Sequence, residues 1–81
     1  MADTAQLSEF LRTVIAELAT MDQSEIKGSD RLREDLGLDS LQSMELLSRV
    51  SEEFDIDPDM EEVMKVTTVD EVVTALSAVL S

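Results

Sequence analysis

The spacing of apolar residues along the chain predicts a protein made of α-helices. Between about residues 4 and 20, apolar side chains recur every three or four positions, as they do on one face of a helix. These residues are Leu7, Phe10, Leu11, Val14, Ile15 and Leu18, and Glu9, Arg12 and Glu17 fall on the opposite, outward face. The chain has no run of alternating polar and apolar residues long enough for a β-strand.

Three more helices are predicted after the first. The second runs from about residue 40 to 54, the short third from about 59 to 65 directly after Pro58, and the fourth from about 69 to 80. The apolar residues are Met44, Leu47, Val50 and Phe54 in an inner stripe of the second helix, with Leu46 on its flank, and Val69, Val72, Val73, Leu76, Val79 and Leu80 in the fourth. We therefore predict a single all-α domain over residues 1–81, a four-helix bundle with three longer helices and one short third helix.

The start of each predicted helix carries a capping pair. In such a pair, an Asp or Thr side chain accepts from a free N–H of the first turn, and a Gln or Glu three positions later reaches back to the cap. The pairs are Asp3 with Gln6, Asp39 with Gln42, Asp59 with Glu62 and Thr68 with Glu71. These pairs support the four predicted helix starts.

A long connection separates the first two predicted helices. Residues 21–39 are rich in Asp, Ser and Gly and contain four irregularly spaced apolar residues, Ile26, Leu32, Leu36 and Leu38. A loop of this length in a small domain is usually ordered or functional. We expect a long ordered loop whose apolar residues hold it against the bundle.

The composition excludes several kinds of site and partner. Of 81 residues, 19 are acidic and 6 are basic, which gives a formal net charge of −13, and there is no Cys or His. Disulfides, zinc sites of thiolates and imidazoles, and catalysis by a thiol or imidazole are therefore excluded. The phosphates of nucleic acid would be repelled. Because no apolar run could span a membrane and no signal peptide opens the chain, we expect a cytoplasmic location. We also expect a monomer.

The negative charge is concentrated in one part of the chain. Residues 34–62 hold 11 of the 19 acidic residues and a single base, Arg49. This window covers the second predicted helix and both of its ends, so one face of the domain should be strongly negative. Such a face either keeps the protein soluble or attracts partners with basic surfaces.

The segment from Asp35 to Leu41, Asp-Leu-Gly-Leu-Asp-Ser-Leu, predicts a loop that ends in a helix. Gly37 permits a backbone conformation that other residues disfavour. If Asp39 caps the helix, Ser40 lies exposed in its first turn, where free N–H groups and the helix dipole favour a phosphate. Ser40 could instead be an ordinary residue of a capped helix. It is not a nucleophile in its own right, because the chain has no His to activate it.

This segment resembles the prosthetic-group site of acyl carrier proteins, and the resemblance extends over nearly the whole chain. The Asp-Ser-Leu motif at residues 39–41 is followed by Met-Glu-Leu at 44–46, Glu-Glu-Phe at 52–54 and Lys-Val-Thr-Thr-Val at 65–69. The resemblance implies a four-helix bundle that carries 4′-phosphopantetheine on Ser40. It also implies a phosphopantetheinyl transferase as partner, and a non-enzymatic role in delivering thioesters to acyltransferases, ketosynthases and other synthase enzymes of fatty-acid or polyketide biosynthesis.

The resemblance also assigns two further groups of residues. Those expected to dock on basic patches of partner enzymes are Asp39, Leu41, Met44, Glu45, Glu52 and Glu53. Those expected to line a cavity for the acyl chain are Leu32, Val50, Val63, Val66, Val72 and Leu76. Read from the residues alone, the apolar group could equally be ordinary core.

Some positions depart from the usual pattern of fatty-acid carriers. Gln42 and Ser51 stand where acidic residues are common, and Pro58 comes one position early. The cargo is therefore left open, and a carrier for aminoacyl or other specialised groups is an alternative. From a different class, the chain could be an unmodified acidic interaction domain.

The acidic triplet Asp55, Asp57 and Asp59 matches the opening of a calcium-binding EF-hand loop. That loop requires Gly at its sixth position and Glu at its twelfth, where this chain has Met60 and Val66. We therefore predict no dedicated metal site, and only weak, non-specific binding of divalent cations to clustered carboxylates.

Overall fold

The structure, a computed structural model, describes residues 4–80 apart from the side chains of Met60 and Met64. This part of the chain contains four α-helices. They are α1 (Thr4–Ala19), α2 (Ser40–Phe54), the short α3 (Met60–Lys65) and α4 (Val69–Leu80), with a 3₁₀ helix (Gln23–Glu25) between α1 and α2. The predicted all-α fold and its helix order are confirmed. No helix of residues 4–80 is long and apolar enough to cross a membrane.

One apolar core joins the four helices to the long loop. Its buried residues are Leu7, Leu11, Val14 and Ile15 of α1, Ile26, Leu36 and Leu38 of the loop, Leu46, Leu47 and Val50 of α2, Val63 of α3, and Val69, Val72, Val73 and Leu76 of α4. At the edge of this core, the rings of Phe10 and Phe54 meet edge to face, with centroids 5.7 Å apart. Through this contact the first half of α1 packs against the end of α2.

The buried stripe of α2 differs from the sequence prediction. Met44 is 52% exposed, whereas Leu46 is only 1% exposed and lies in the core. The core contacts α2 on the arc centred on Val50, and Leu46 and Leu47 lie on either side of that residue, while Met44 projects from the opposite half of the helix. Met44 was therefore wrongly placed in the inner stripe, and Leu46 belongs there.

The predicted outward position of Arg12 is also wrong. Its side chain is partly buried, and Nη1 donates to the main-chain oxygen of Ile26 at 2.6 Å. The reason is that the long loop crosses α1 at this point and covers the arginine.

The predicted capping pairs at α2 and α4 are confirmed. At α2, Asp39 Oδ1 accepts from Gln42 N at 2.8 Å, and Gln42 Oε1 accepts from Asp39 N at 3.2 Å. At α4, Glu71 Oε1 accepts from Thr68 N at 3.0 Å, and Thr68 Oγ1 accepts from Glu71 N at 3.2 Å. The hydrogen bonds from Thr68 lower the pKa of Glu71. Both helix starts are therefore set by local sequence.

The start of α3 is capped differently from the prediction. Asp59 caps the helix but accepts from Glu61 N at 3.1 Å, and Glu62 points to Lys65, 3.8 Å from its Nζ. Because α3 has only six residues, the side chain of Glu62 can reach Lys65 in the last turn as readily as the backbone N–H of Asp59 at the cap. The fourth predicted pair, Asp3 with Gln6, includes a residue outside those described.

The long loop is ordered by pairing with the turn between α3 and α4. Leu32 N donates to Thr67 O at 2.9 Å, and Val69 N donates to Asp30 O at 3.0 Å. Ile26, Leu36 and Leu38 are buried, as predicted, and Leu32 is partly buried. These contacts hold the loop against the bundle up to the residue before the α2 cap.

A tight turn then leads from the loop into α2. Asp35 Oδ2 accepts from Arg31 N at 2.7 Å and from Arg31 Nε at 3.1 Å, and these bonds hold the pKa of the Asp35 carboxyl below its ordinary value. Gly37 adopts a left-handed conformation with φ of 72°. Glycine takes that conformation without the steric strain that most side chains would add. The turn thereby fixes where α2 begins.

Candidate functional site

Ser40 is the first residue of α2, and its side chain is exposed. Because Asp39 caps the helix, the N–H of Gln42 is already bonded, whereas those of Ser40 and Leu41 have no carbonyl partner within the helix. The Ser40 hydroxyl thus lies beside free donors and the positive end of the helix dipole. An anionic group on this oxygen is favoured by both.

A guanidinium group contacts the same hydroxyl. Arg33 Nη2 donates to Ser40 Oγ at 3.0 Å, across the turn that Gly37 makes possible. The sequence alone does not reveal this contact, because seven positions and a turn of unknown shape separate Arg33 from Ser40. The only hint in the sequence is that Arg33 is a basic residue close to Ser40 in the chain. Where its side chain points depends on the fold of the turn.

A cavity of about 240 Å³ opens directly beside Ser40, between the loop, α2, α3 and α4. Its apolar lining consists of Leu32, Leu46, Leu47, Val63, Val66 and Val72, and its polar lining of Arg33, Glu34, Ser40, Ser43, Lys65 and Thr67. A group attached to Ser40 would therefore begin at the polar side of the cavity and could place an apolar end against the leucines and valines.

The exposed face of α2 combines two apolar side chains with carboxylates. Leu41 is 76% exposed and Met44 is 52% exposed. Glu45 and Glu52 are also exposed. Glu45 lies one helical turn after Leu41 and Glu52 lies two turns after Glu45, so all three side chains are on the same face of α2. An exposed apolar patch next to clustered acids is typical of a surface that binds another protein.

Comparison with known proteins agrees with this site. The family described as the phosphopantetheine attachment site matches residues 9–76. The chain is also 40% identical to the acyl carrier protein of Clostridium acetobutylicum over 70 residues, which cover 86% of this chain and 91% of the relative.

The chain belongs to the acyl carrier protein family. It is accordingly a carrier whose cofactor is covalently bound 4′-phosphopantetheine. The surroundings of Ser40 fit that group, because they combine an exposed hydroxyl, a guanidinium 3.0 Å away and an adjacent cavity with an apolar lining. The thiol of this cofactor supplies the thioester chemistry that a chain without cysteine lacks.

Four of the six residues expected to line an acyl-chain cavity in this carrier protein lie around the cavity, namely Leu32, Val63, Val66 and Val72. Val50 and Leu76 do not: both are fully buried in the core, at 0% exposure, and neither lines the cavity. Val50 lies one helical turn beyond Leu46, on the far side from Ser40, where α2 packs into the core. The cavity is lined instead by Leu46 and Leu47, which the sequence did not assign to it.

The six residues expected to meet partner enzymes are all exposed, namely Asp39, Leu41, Met44, Glu45, Glu52 and Glu53. Glu53 differs from the others in its direction. It lines a groove together with Phe10 and Phe54, on the side of α2 that faces α1. The exposed face of α2 therefore holds Leu41, Met44, Glu45 and Glu52, and Glu53 flanks it.

The acidic triplet after α2 has separate roles in the structure. Asp55 ends α2 in a left-handed conformation with φ of 51°, and Asp59 caps α3. Within residues 4–80, no three acidic side chains converge closely enough to hold a metal ion. Weak binding of divalent cations by the acidic surface as a whole stays a prediction.

Proposed function

We propose that 4′-phosphopantetheine is attached to Ser40 and that the chain acts as a tether and not as an enzyme. The observation that carries this proposal is the exposed Ser40 Oγ at the start of α2, with Arg33 3.0 Å away and the cavity beside it. A separate phosphopantetheinyl transferase would form the bond between Oγ and phosphorus. In the same step the pyrophosphate bond of coenzyme A breaks, adenosine 3′,5′-bisphosphate departs as the leaving group, and the hydroxyl proton passes to a base of the transferase.

The attachment can be tested by measuring the intact mass after co-expression with a phosphopantetheinyl transferase. We expect the wild-type chain to gain one phosphopantetheinyl group and Ser40→Ala to gain none. Ser43→Ala is the matched control, because Ser43 lies on the same helix and lines the same cavity. It should be modified as fully as the wild type. Modification of Ser40→Ala, or no modification of the wild type, would refute the proposal and favour an unmodified interaction domain.

We also propose that the exposed face of α2 docks on basic surfaces of the transferase and of synthase enzymes. Leu41 and Met44 supply the apolar contact, and Glu45 and Glu52 lie beside them on the same face. Opposite charges speed the encounter of two proteins and make its rate depend on salt. We expect binding to each partner to be weak and brief, because the cargo must move from one enzyme to the next.

Charge reversal at two positions of α2 tests the docking face. Glu45→Lys should slow association with the transferase by about tenfold at low salt, within the range that electrostatic steering covers. The matched control is Glu53→Lys, which makes the same change of charge on the side of α2 that faces α1. We expect a smaller effect from the control. Equal rates for the wild type and Glu45→Lys would contradict the proposed docking face.

The cargo that the cavity supports best is an apolar acyl chain. Six of its lining residues are Leu or Val, which suit a hydrocarbon better than a charged group. Glu34 is the one carboxylate among the lining residues that could pair with the ammonium of an aminoacyl thioester. We therefore propose fatty-acid or polyketide synthesis as the setting, with aminoacyl cargo as the alternative. The charge of −13 opposes self-association, and a chain without cysteine suits a reducing compartment, so we propose a cytoplasmic monomer.

A further inference from the structure

Arg33 differs from the neighbouring arginine in what its side chain binds. Arg31 is engaged by carboxylates, with Nε 3.1 Å from Asp35 and 3.8 Å from Glu34. Arg33 forms no ion pair with any residue in the described part of the chain, although the protein carries 19 acidic residues. Its Nη2 instead donates to the neutral hydroxyl of Ser40 at 3.0 Å. A cation on a strongly acidic protein is thus directed at the one oxygen proposed to receive a phosphate.

The position of Arg33 at the cavity adds a second observation. Arg33 and Lys65 are the two basic residues in the cavity lining, and Lys65 lies 3.8 Å from the carboxylate of Glu62. Arg33 therefore keeps donors available at the side of the cavity where Ser40 lies. Its guanidinium has five N–H donors in a planar fork, and the contact with Ser40 uses only one of them.

We propose that Arg33 is a positioning residue that binds the phosphodiester at Ser40, an inference that rests on the proposed attachment at this serine. In the ester, Oγ is bonded to phosphorus, and the two non-bridging oxygens are the next atoms outward. A guanidinium at hydrogen-bonding distance from Oγ is therefore close enough to meet those oxygens. Its planar fork suits two parallel hydrogen bonds to phosphate.

This contact offsets an electrostatic cost of the modification. A phosphodiester adds a negative charge to a protein of net charge −13, next to the Asp39 carboxylate and with Glu34 in the same cavity lining. Because the site is exposed, the attraction of Arg33 for the phosphate is moderate. The base of the arm is then held beside the cavity without being locked there. That balance suits a tether that must both shelter its cargo and release it.

The test uses the complete holo protein and observes the phosphodiester directly. Phosphorus NMR should show a different chemical shift for holo Arg33→Gln than for the holo wild type. Arg33→Lys, which keeps the charge but loses the fork, should give an intermediate shift. Lys65→Gln is the matched control, since it removes one charge from the same cavity lining without contacting Ser40, and its phosphorus shift should equal that of the wild type.

A second measurement needs no variant at position 33. Exchange of the Arg33 guanidinium protons with water should slow on conversion from the apo to the holo wild type, by up to about fivefold for an exposed charged contact. An unchanged exchange rate, together with one phosphorus shift for all four proteins, would overturn the role of Arg33. The intact mass separates the two proposals, because a chain that carries the group on Ser40 yet shows neither effect refutes only this inference. A chain never modified at Ser40 refutes both.

Discussion

The side-chain amide of Gln42 joins the start of α2 to the end of α1. Its Nε2 donates to the main-chain oxygen of Leu18 at 3.2 Å, while its Oε1 accepts from Asp39 N at 3.2 Å. Leu18 lies in the last turn of α1, where carbonyl groups have no partner within the helix. Gln42 thus completes the cap of one helix and satisfies a free carbonyl of another. A carboxylate at this position could accept the hydrogen bond from Asp39 N but could not donate one to the Leu18 carbonyl.

Gln42→Glu should destabilise the protein by about 1 kcal/mol, the usual net contribution of one hydrogen bond. The substituted carboxylate can still accept from Asp39 N but has no proton to donate to Leu18 O. Urea unfolding at neutral pH, followed by circular dichroism, measures the difference in the free energy of unfolding.

Ser48→Glu is the control for the added negative charge. Ser48 is exposed on α2, so its substitution should change the free energy of unfolding by less than about 0.5 kcal/mol. If Gln42→Glu were as stable as the wild type, the bond to Leu18 would contribute nothing to stability.

Leu46 and Met44 provide a second matched pair on α2. Leu46→Ala removes a side chain that is 1% exposed and should cost about 2–5 kcal/mol. Met44→Ala removes one that is 52% exposed and should change stability by less than about 0.5 kcal/mol. Thermal unfolding of both variants decides whether the core face of α2 is correctly assigned. If Met44→Ala were the less stable of the two variants, Met44 would belong to the buried face of α2, as the sequence predicted.

The bonds between Arg31 and Asp35 make one contribution to stability depend on pH. Since the folded protein lowers the pKa of Asp35, this contribution is complete above the pKa of an unfolded Asp, about 4, and disappears as pH falls through the lower folded value. Asp35→Asn should therefore have a lower Tm than the wild type at neutral pH. The difference should close below about pH 4.

Asp57→Asn is the matched control for this pH dependence. Asp57 is exposed, and it takes part in none of the hydrogen bonds or ion pairs found among the described residues. Its replacement removes the same charge from an acidic loop and should not lower the Tm at neutral pH. A gap between wild type and Asp35→Asn that stayed constant from neutral to acid pH would show that the Asp35 charge is unimportant.

An acyl chain bound in the cavity should perturb the methyl groups that line it. Comparison of holo and octanoyl-loaded protein by methyl NMR should show large shifts at Val63, Val66 and Val72. Val50 and Leu76, which are buried in the core away from the lining, should shift much less. Equal shifts at both groups would mean that the chain penetrates the core, and no shift at either would mean that it stays in solvent.

The helices and their order could be predicted from the sequence, because each depends on interactions between residues close together in the chain. The spacing of Leu7, Leu11 and Val14 marks the buried face of α1, and the pair Asp39 and Gln42 marks the start of α2. The exposure of Ser40 follows from the same cap. The third helix start was predicted less well, since Glu62 has two partners within reach and the sequence does not rank them.

By itself, the sequence determined the helical elements, the acidic character of the protein and the motif around Ser40, all of which depend on local spacing and residue type. The tertiary structure alone decided which side of α2 is buried, which leucines and valines border the cavity, and that Arg33 meets Ser40. These features depend on the angles at which distant segments pack and on the path of the loop through Gly37. Such angles result from the whole core at once, so no short stretch of residues encodes them.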